Sequence, residues 1–162
     1  RLLERAPAAA RGESRDDEWM PELNVGPTGR IPAEYVPEPD IRIEFYGRLA
    51  RSRTDDEEAR LADEFADRFG DLPPEVVLLL ALARLRRLCR AAGVARLDTG
   101  PQALALTFKD QRPSPEDLER VAADLPAPLA WRQERLILPH PTRTDAERLA
   151  LAEAVVAGLA AA

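Results

Sequence analysis

Residues 72–93 read LPPEVVLLLALARLRRLCRAAG, a helix that carries its own punctuation. Pro73 and Pro74 open it, because proline in a first turn gives up an N–H that has no intrahelical acceptor anyway. Gly93 closes it, because glycine just past a helix end takes the left-handed cap without a Cβ penalty. Val76 to Leu80 are apolar on every side, and a helix apolar all round is expected to be buried all round. Beyond them the pattern narrows to Leu78, Leu82, Leu85 and Cys89, spaced i, i+4, i+7 and i+11 on one stripe. Arg84, Arg86, Arg87 and Arg90 fall on the other faces. The expectation is a central helix buried in its N-terminal half and surfacing in its C-terminal half.

Two helices are predicted immediately upstream. Thr54-Asp55-Asp56-Glu57 is a capping box, with Thr at the N-cap and Glu three residues on. The helix it starts runs to Gly70 and places Leu61, Phe65 and Phe69 on one face, with Asp56, Asp63, Glu64 and Asp67 on the opposite one. Asp40 is placed as the N-cap of an earlier helix reaching about Arg53, its apolar face made by Ile41, Phe45, Tyr46 and Leu49. Gly47 is its weak point, at about 1 kcal/mol against Ala. Short connections make the three helices neighbours, largely antiparallel. Further upstream, the three prolines of Ile31–Asp40 predict an extended run over the surface. Glu22–Gly26 alternates as a short strand, and Arg1–Asp17 has the composition of a linker or tail.

Downstream of Gly93 the period drops from helical to two. Val94–Asp98 and Ala103–Lys109 flank Thr99-Gly100-Pro101-Gln102, which predicts a hairpin. Ser114 and Pro115 start a helix carrying Leu118, Val121 and Leu125. Pro128–Arg132 and Glu134–Pro139 predict a second hairpin, and the capping box Thr144-Asp145-Ala146-Glu147 opens a last helix with Leu149, Val156 and Leu159 inward. The fold class is therefore α+β: an N-terminal helical layer of three helices, then an antiparallel sheet of about four strands with two further helices, five strands if Leu23–Val25 joins.

A chain of 162 residues, 45% hydrophobic, suits one domain or one domain with a tail. Net charge is −6, whereas a nucleic-acid-binding module is more often basic. The single cysteine, Cys89, excludes an internal disulfide and fits a reducing, cytoplasmic setting. No apolar run is long enough to span a membrane, and no signal peptide is visible. The chain begins at Arg1 without methionine, which suggests a piece of something longer.

Catalytic patterns are sparse. Gly26-Pro27-Thr28-Gly29-Arg30 has the glycines of a phosphate loop but neither the lysine nor the following helix, and reads as a turn. One histidine, His140, and one cysteine cannot make a zinc site unaided. Ser114 already has a capping role, and carboxylate pairs such as Asp55/Asp56 and Asp63/Glu64 read as solvated helix faces rather than as acid–base machinery. Arg84, Arg86, Arg87 and Arg90 could grip phosphate, or simply complement the dipole at a helix C-terminus. The residues on their own describe a non-enzymatic interaction domain without metal or cofactor sites.

Two segments add a resemblance. IPAEYVPEPDIRIEFYGRLA (residues 31–50) and EFADRFGDLP (residues 64–73), together with PELNVG (21–26) and ARLRRLCRAAGV (83–94), resemble the C-terminal (TRCF) domain of the bacterial transcription-repair coupling factor, Mfd. The likeness covers roughly residues 19 to 160 and is densest up to Val94. Gly47 departs from the family, which usually has Lys or Arg before Arg48. The resemblance implies a parent that is an ATP-dependent DNA translocase, with ATP and magnesium held in its motor domains. That parent displaces stalled RNA polymerase and recruits the repair protein UvrA. It implies that residues 1–18 are the tail of the motor domain and that 19–162 form the regulatory domain, with a helical part at 40–93, a strand-rich part at 94–143 and a final helix at 144–161. It further implies that this domain docks on the UvrA-binding module of the same polypeptide, masks it and restrains the motor. The family's acidic docking positions, at the E-x-x-D of ExxDRFG, fall on Glu64 and Asp67. The alternative is an accessory domain that touches nucleic acid through Arg84, Arg86, Arg87 and Arg90.

Overall fold

The computed structural model describes residues 19–161; the expected tail, residues 1–18, lies outside them. Strand β1 (Glu22–Asn24) precedes helices α1 (Pro39–Arg51), α2 (Asp55–Phe69) and α3 (Pro74–Ala92). Then come β2 (Val94–Thr99), β3 (Leu104–Phe108), α4 (Pro115–Ala122), β4 (Ala130–Arg132), β5 (Arg135–Leu138) and α5 (Asp145–Ala160).

The local signals set the helix starts. Thr54, Ser114 and Thr144 each accept the backbone N–H three residues on, at 3.1 Å. Glu57 and Glu147 reach back to the N–H groups of Arg53 and Arg143, the residues before each cap, at 2.8 and 2.7 Å, which fixes the chain's entry into each helix. Gly93 ends α3 at φ 75°, the left-handed cap. Helix α1 differs from its expectation. It begins at Pro39 with Glu38 as N-cap, so Asp40 sits inside the first turn, where Pro39's fixed φ already suits the helix. It ends at Arg51 rather than Arg53, because the Ser52 N–H folds back onto the Leu49 carbonyl.

Two apolar clusters meet at α3. One gathers Ile31, Val36, Phe45, Leu49, Leu61, Phe65 and Val76, with Leu79, Leu80 and Ala83 packed against it. The other joins Leu82, Leu85 and Cys89 of α3 to Leu97, Leu104, Leu106, Leu136 and Leu138 of the sheet and to Val155, Val156 and Leu159 of α5. The apolar girth of Val76–Leu80 therefore reflects two partners on different sides, not burial all round. The remaining side faces outward, and Val77 there is 53% exposed. The sequence expectation of a fully buried N-terminal half is corrected accordingly, and the fully covered stripe is Leu82, Leu85 and Cys89.

The sheet has five strands in the order β1-β2-β3-β5-β4. It is mixed: β1 joins the edge in parallel with Leu23 opposite Leu97, while the other pairings are antiparallel. The α+β class stands, with the optional fifth strand present and its direction parallel. Strict alternation in β2 would put Val94 with Arg96. A register shift between those two residues rephases the strand, so that Val94 and Leu97 both turn into the core.

Candidate docking surface

The acidic pair read from the sequence lies on the C-terminal half of α2, and the two members differ in kind. Asp67 is exposed, and among the described residues it is in no ion pair. Glu64 is half-buried on the flank facing α1. Arg48 of α1 grips it bidentately, Nη1 donating to Oε2 at 3.1 Å and Nη2 to Oε1 at 2.8 Å. Arg68, one turn along α2, donates to Oε2 at 3.1 Å. Hydrogen bonds from Arg48 first, and then from Arg68, hold the Glu64 carboxyl below the usual range against the opposing effect of its partial burial. The carboxylate also fixes where the two guanidiniums sit, 5.2 and 5.7 Å from the Phe45 ring centroid. Glu64 is thus an anion already balanced within the domain, and Asp67 is the one presented outward.

The surrounding motif residues build the platform under this edge. The Tyr35 hydroxyl reaches the carbonyl oxygens of Phe65 and Gly70 at 3.1 and 2.7 Å, tying the extended segment to the end of α2. The Tyr46 hydroxyl accepts the Ile31 N–H at 2.8 Å, and Arg42 donates to the carbonyls of Val36 and Pro37 at 2.7 and 3.0 Å. Phe65 stacks on Phe45 with ring centroids 4.1 Å apart. Much of the 31–50 and 64–73 pattern is accounted for as the framework that holds α1 and α2 in place.

The four arginines of α3 do not act alike. Arg84 bonds Asp55 at 3.1 Å and also pairs with Glu153 of α5. Arg87 bonds Asp55 and, at 3.0 Å, Glu58, whose residue is only 6% exposed and which also accepts from the Ser52 hydroxyl at 3.0 Å. The Arg84 and Arg87 guanidiniums hold Asp55 below its ordinary pKa against the partial desolvation that raises it, with the Arg84 hydrogen bond foremost. Arg86, Arg87 and Arg90 line a cleft between the end of α1 and α3. The roles of Arg48, Arg68 and Glu58 emerge from the fold. Glu64 and Arg68 stand i, i+4, a spacing that could have signalled the pair. Nothing local could have signalled Arg48 or the Glu58–Arg87 pair, which join different helices.

The remaining candidates offer little chemistry. Gly29 (φ 70°) lets the backbone approach α3 so closely that a Cβ would fall 2.7 Å from the Leu79 nitrogen, which is packing rather than phosphate binding. Burial pushes the Cys89 thiol up to about 12. Among the described residues no three His, Cys, Asp or Glu side chains gather as metal ligands, and no helix is long and apolar enough to cross a membrane.

Comparison with known proteins identifies the family. The TRCF domain model matches residues 26–118, more than half of the chain. The transcription-repair-coupling factor of Mycobacterium tuberculosis is 44% identical over 64 residues, covering 40% of this chain and 5% of that protein. The Escherichia coli protein of the same name is 31% identical over 81 residues, covering 50% of this chain and 7% of its own length. That of Rickettsia typhi is 30% identical over 109 residues, covering 66% and 10%. The chain thus spans between 5% and 10% of the length of these relatives. In three dimensions it is similar to the crystal structure of the C-terminal domain of transcription-repair coupling factor, with TM-score 0.76 and 18% identity, covering 88% of this chain and 92% of the other. The matched residues contain both α2 with its Glu64–Asp67 edge and the Tyr35, Arg42 and Arg48 framework beneath it, and the chain belongs to the TRCF domain family.

Proposed function

We propose that this chain is a non-catalytic regulatory domain of an ATP-dependent DNA translocase that acts in transcription-coupled excision repair. It docks through the α2 edge onto arginines of a UvrA-binding module in the same polypeptide, masking that module and restraining the motor. ATP and magnesium belong to the motor domains, and RNA polymerase, DNA and UvrA are partners of the whole protein in the cytoplasm. The observation that supports this reading is the exposed Asp67, without an ion pair among the described residues, one turn from an immobilised Glu64. Nucleic-acid contact through the α3 arginines has less support, since Arg84 and Arg87 are taken up by Asp55, Glu58 and Glu153.

Asp67→Arg in the full-length protein tests the reading. It leaves the Arg48–Glu64–Arg68 cluster in place and turns attraction into repulsion at the docked surface. Breaking one partner of a buried interfacial charge pair costs about 2–5 kcal/mol, and roughly 3 kcal/mol is a hundredfold shift between closed and open forms. UvrA capture and DNA-dependent ATPase should both rise. Unchanged capture and unchanged ATPase together would remove Asp67 from the docking surface.

A further inference from the structure

A cleft of about 780 Å³ opens between the C-terminal end of α1 and the outer flank of α3, away from the acidic edge. Tyr46, which lines it, and Arg48, which reaches Glu64, are two residues apart and so lie about 200° from one another round α1. Leu49, Leu79 and Ala83 give the cleft an apolar floor. Met20 stands at its margin with 52% of its surface exposed. Its guanidinium groups include those of Arg51, Arg53 and Arg86, which have no ion-pair partner among the described residues although the chain as a whole carries −6. Arg87 lines the cleft too, but Asp55 and Glu58 of this domain already hold it, so Arg51, Arg53 and Arg86 are the charges left for an occupant.

Three considerations identify what fits. Along α3 the lining residues Leu79, Ala83, Arg86 and Arg90 stand at i, i+4, i+7 and i+11, a straight track about 16 Å long, the length of three helical turns. The floor is apolar and the rim cationic, so an occupant must bury hydrophobic side chains while presenting carboxylates. Guanidinium forks match carboxylates bidentately. A phosphodiester backbone would satisfy the rim but leave the half-exposed Leu79, Ala83 and Met20 uncovered. The end of α1 contributes about half a negative charge from its carbonyls, and the full charges of Arg51 and Arg53 at the same place outweigh it. We infer that this cleft is a docking site for a short acidic amphipathic helix of a protein partner, independent of the Glu64–Asp67 edge.

The test uses the 162-residue chain and a fluorescein-labelled synthetic peptide of about 14 residues, four turns long, with leucines at i, i+3, i+4 and i+7 and glutamates elsewhere. Controls are a scrambled peptide of the same composition, a version with lysine for glutamate, and a labelled single-stranded DNA. The acidic helix should bind, should weaken with added salt, and should bind at least tenfold more tightly than either control peptide. Arg53→Glu with Arg86→Glu should weaken it at least tenfold. Ala50→Trp, which blocks the cleft from an exposed position on α1 and removes no charge, should do the same, and it keeps the test decisive if the double reversal does not fold. Equal binding of the scrambled peptide overturns the proposal. So does acidic-peptide affinity unmoved by a folded variant, or DNA binding lost in the arginine variant while the acidic helix never binds.

Discussion

Arg87 reaches from α3 back to Glu58, a carboxylate almost wholly removed from water. Its sequence neighbour Arg86 lines the same cleft as Arg87 but has no ion pair among the described residues. The two should respond very differently to truncation. Arg87→Ala strands a buried charge and should cost about 3–5 kcal/mol, whereas Arg86→Ala should stay within about 0.5 kcal/mol, as surface changes do. Urea unfolding of the two variants reads this directly, and equal losses would mean that Glu58 is not held by Arg87. Gly29 makes a second residue-scale prediction. Gly29→Ala must both adopt a left-handed φ and drive a Cβ to 2.7 Å from the backbone of Leu79. The conformational part costs about 1–2 kcal/mol, and overpacking against a helix backbone adds about 1–3. Gly93→Ala shares the positive φ but meets nothing within 4 Å, so it should show only the first part. A sequence can flag these glycines as turn residues, but which of them touches another helix depends on packing across some fifty residues, from Gly29 to Leu79.

Helix α2 shows what is written locally and what is not. Thr54 with Glu57, and Leu61 with Phe65, are set by spacing along one chain, and the structure has them capped and buried as expected. Helical spacing alone puts Glu64 on the outer face with Asp67, yet it belongs to the α1–α2 seam, because Arg48 on a different helix draws it there. The same limit hid the parallel pairing of β1, whose partner Leu97 lies far along the chain from Leu23. At α3, Leu82 lies on the fully covered stripe, and Leu82→Ala should cost about 2–5 kcal/mol. The seam also predicts a pH dependence. The carboxyls of Glu64 and Asp55 are held low in the folded domain by Arg48 and Arg84 respectively. In the unfolded chain they return to about 4, so between the two values the unfolded state binds more protons and stability rises with pH. Their contribution is complete above about pH 5 and is lost as pH falls through the folded values. Glu64→Gln should therefore flatten the fall of the urea midpoint below about pH 5. Parallel curves for wild type and variant would show that the Arg48–Glu64–Arg68 cluster does not contribute.

At the scale of the whole molecule, α3 is the element shared between two cores. Val76, Leu79, Leu80 and Ala83 serve the helical cluster, while Leu82, Leu85 and Cys89 serve the sheet cluster, all on one continuous helix. Contacts to the two clusters interleave along Val76–Ala83, with Leu78 and Leu82 serving one and Leu79, Leu80 and Ala83 the other, so unravelling this stretch for one core takes support from both. The two halves should thus unfold together despite their separate hydrophobic groups. The distribution of aromatics makes this measurable. Trp131 sits in β4 with its ring 5.9 Å from Phe108, and Trp19 lies under Arg90 and Lys109, so tryptophan fluorescence reports on the sheet half and its margin. Phe45 is fully buried in the other half, stacked on Phe65. Phe45→Ala should cost about 3–5 kcal/mol, the range for truncating a buried aromatic. If α3 couples the cores, that loss should lower the urea midpoint seen by tryptophan fluorescence as much as the midpoint seen by far-UV circular dichroism. A fluorescence midpoint left at its wild-type value, with helical signal lost in an earlier step, would show two independent folding units joined by a passive helix.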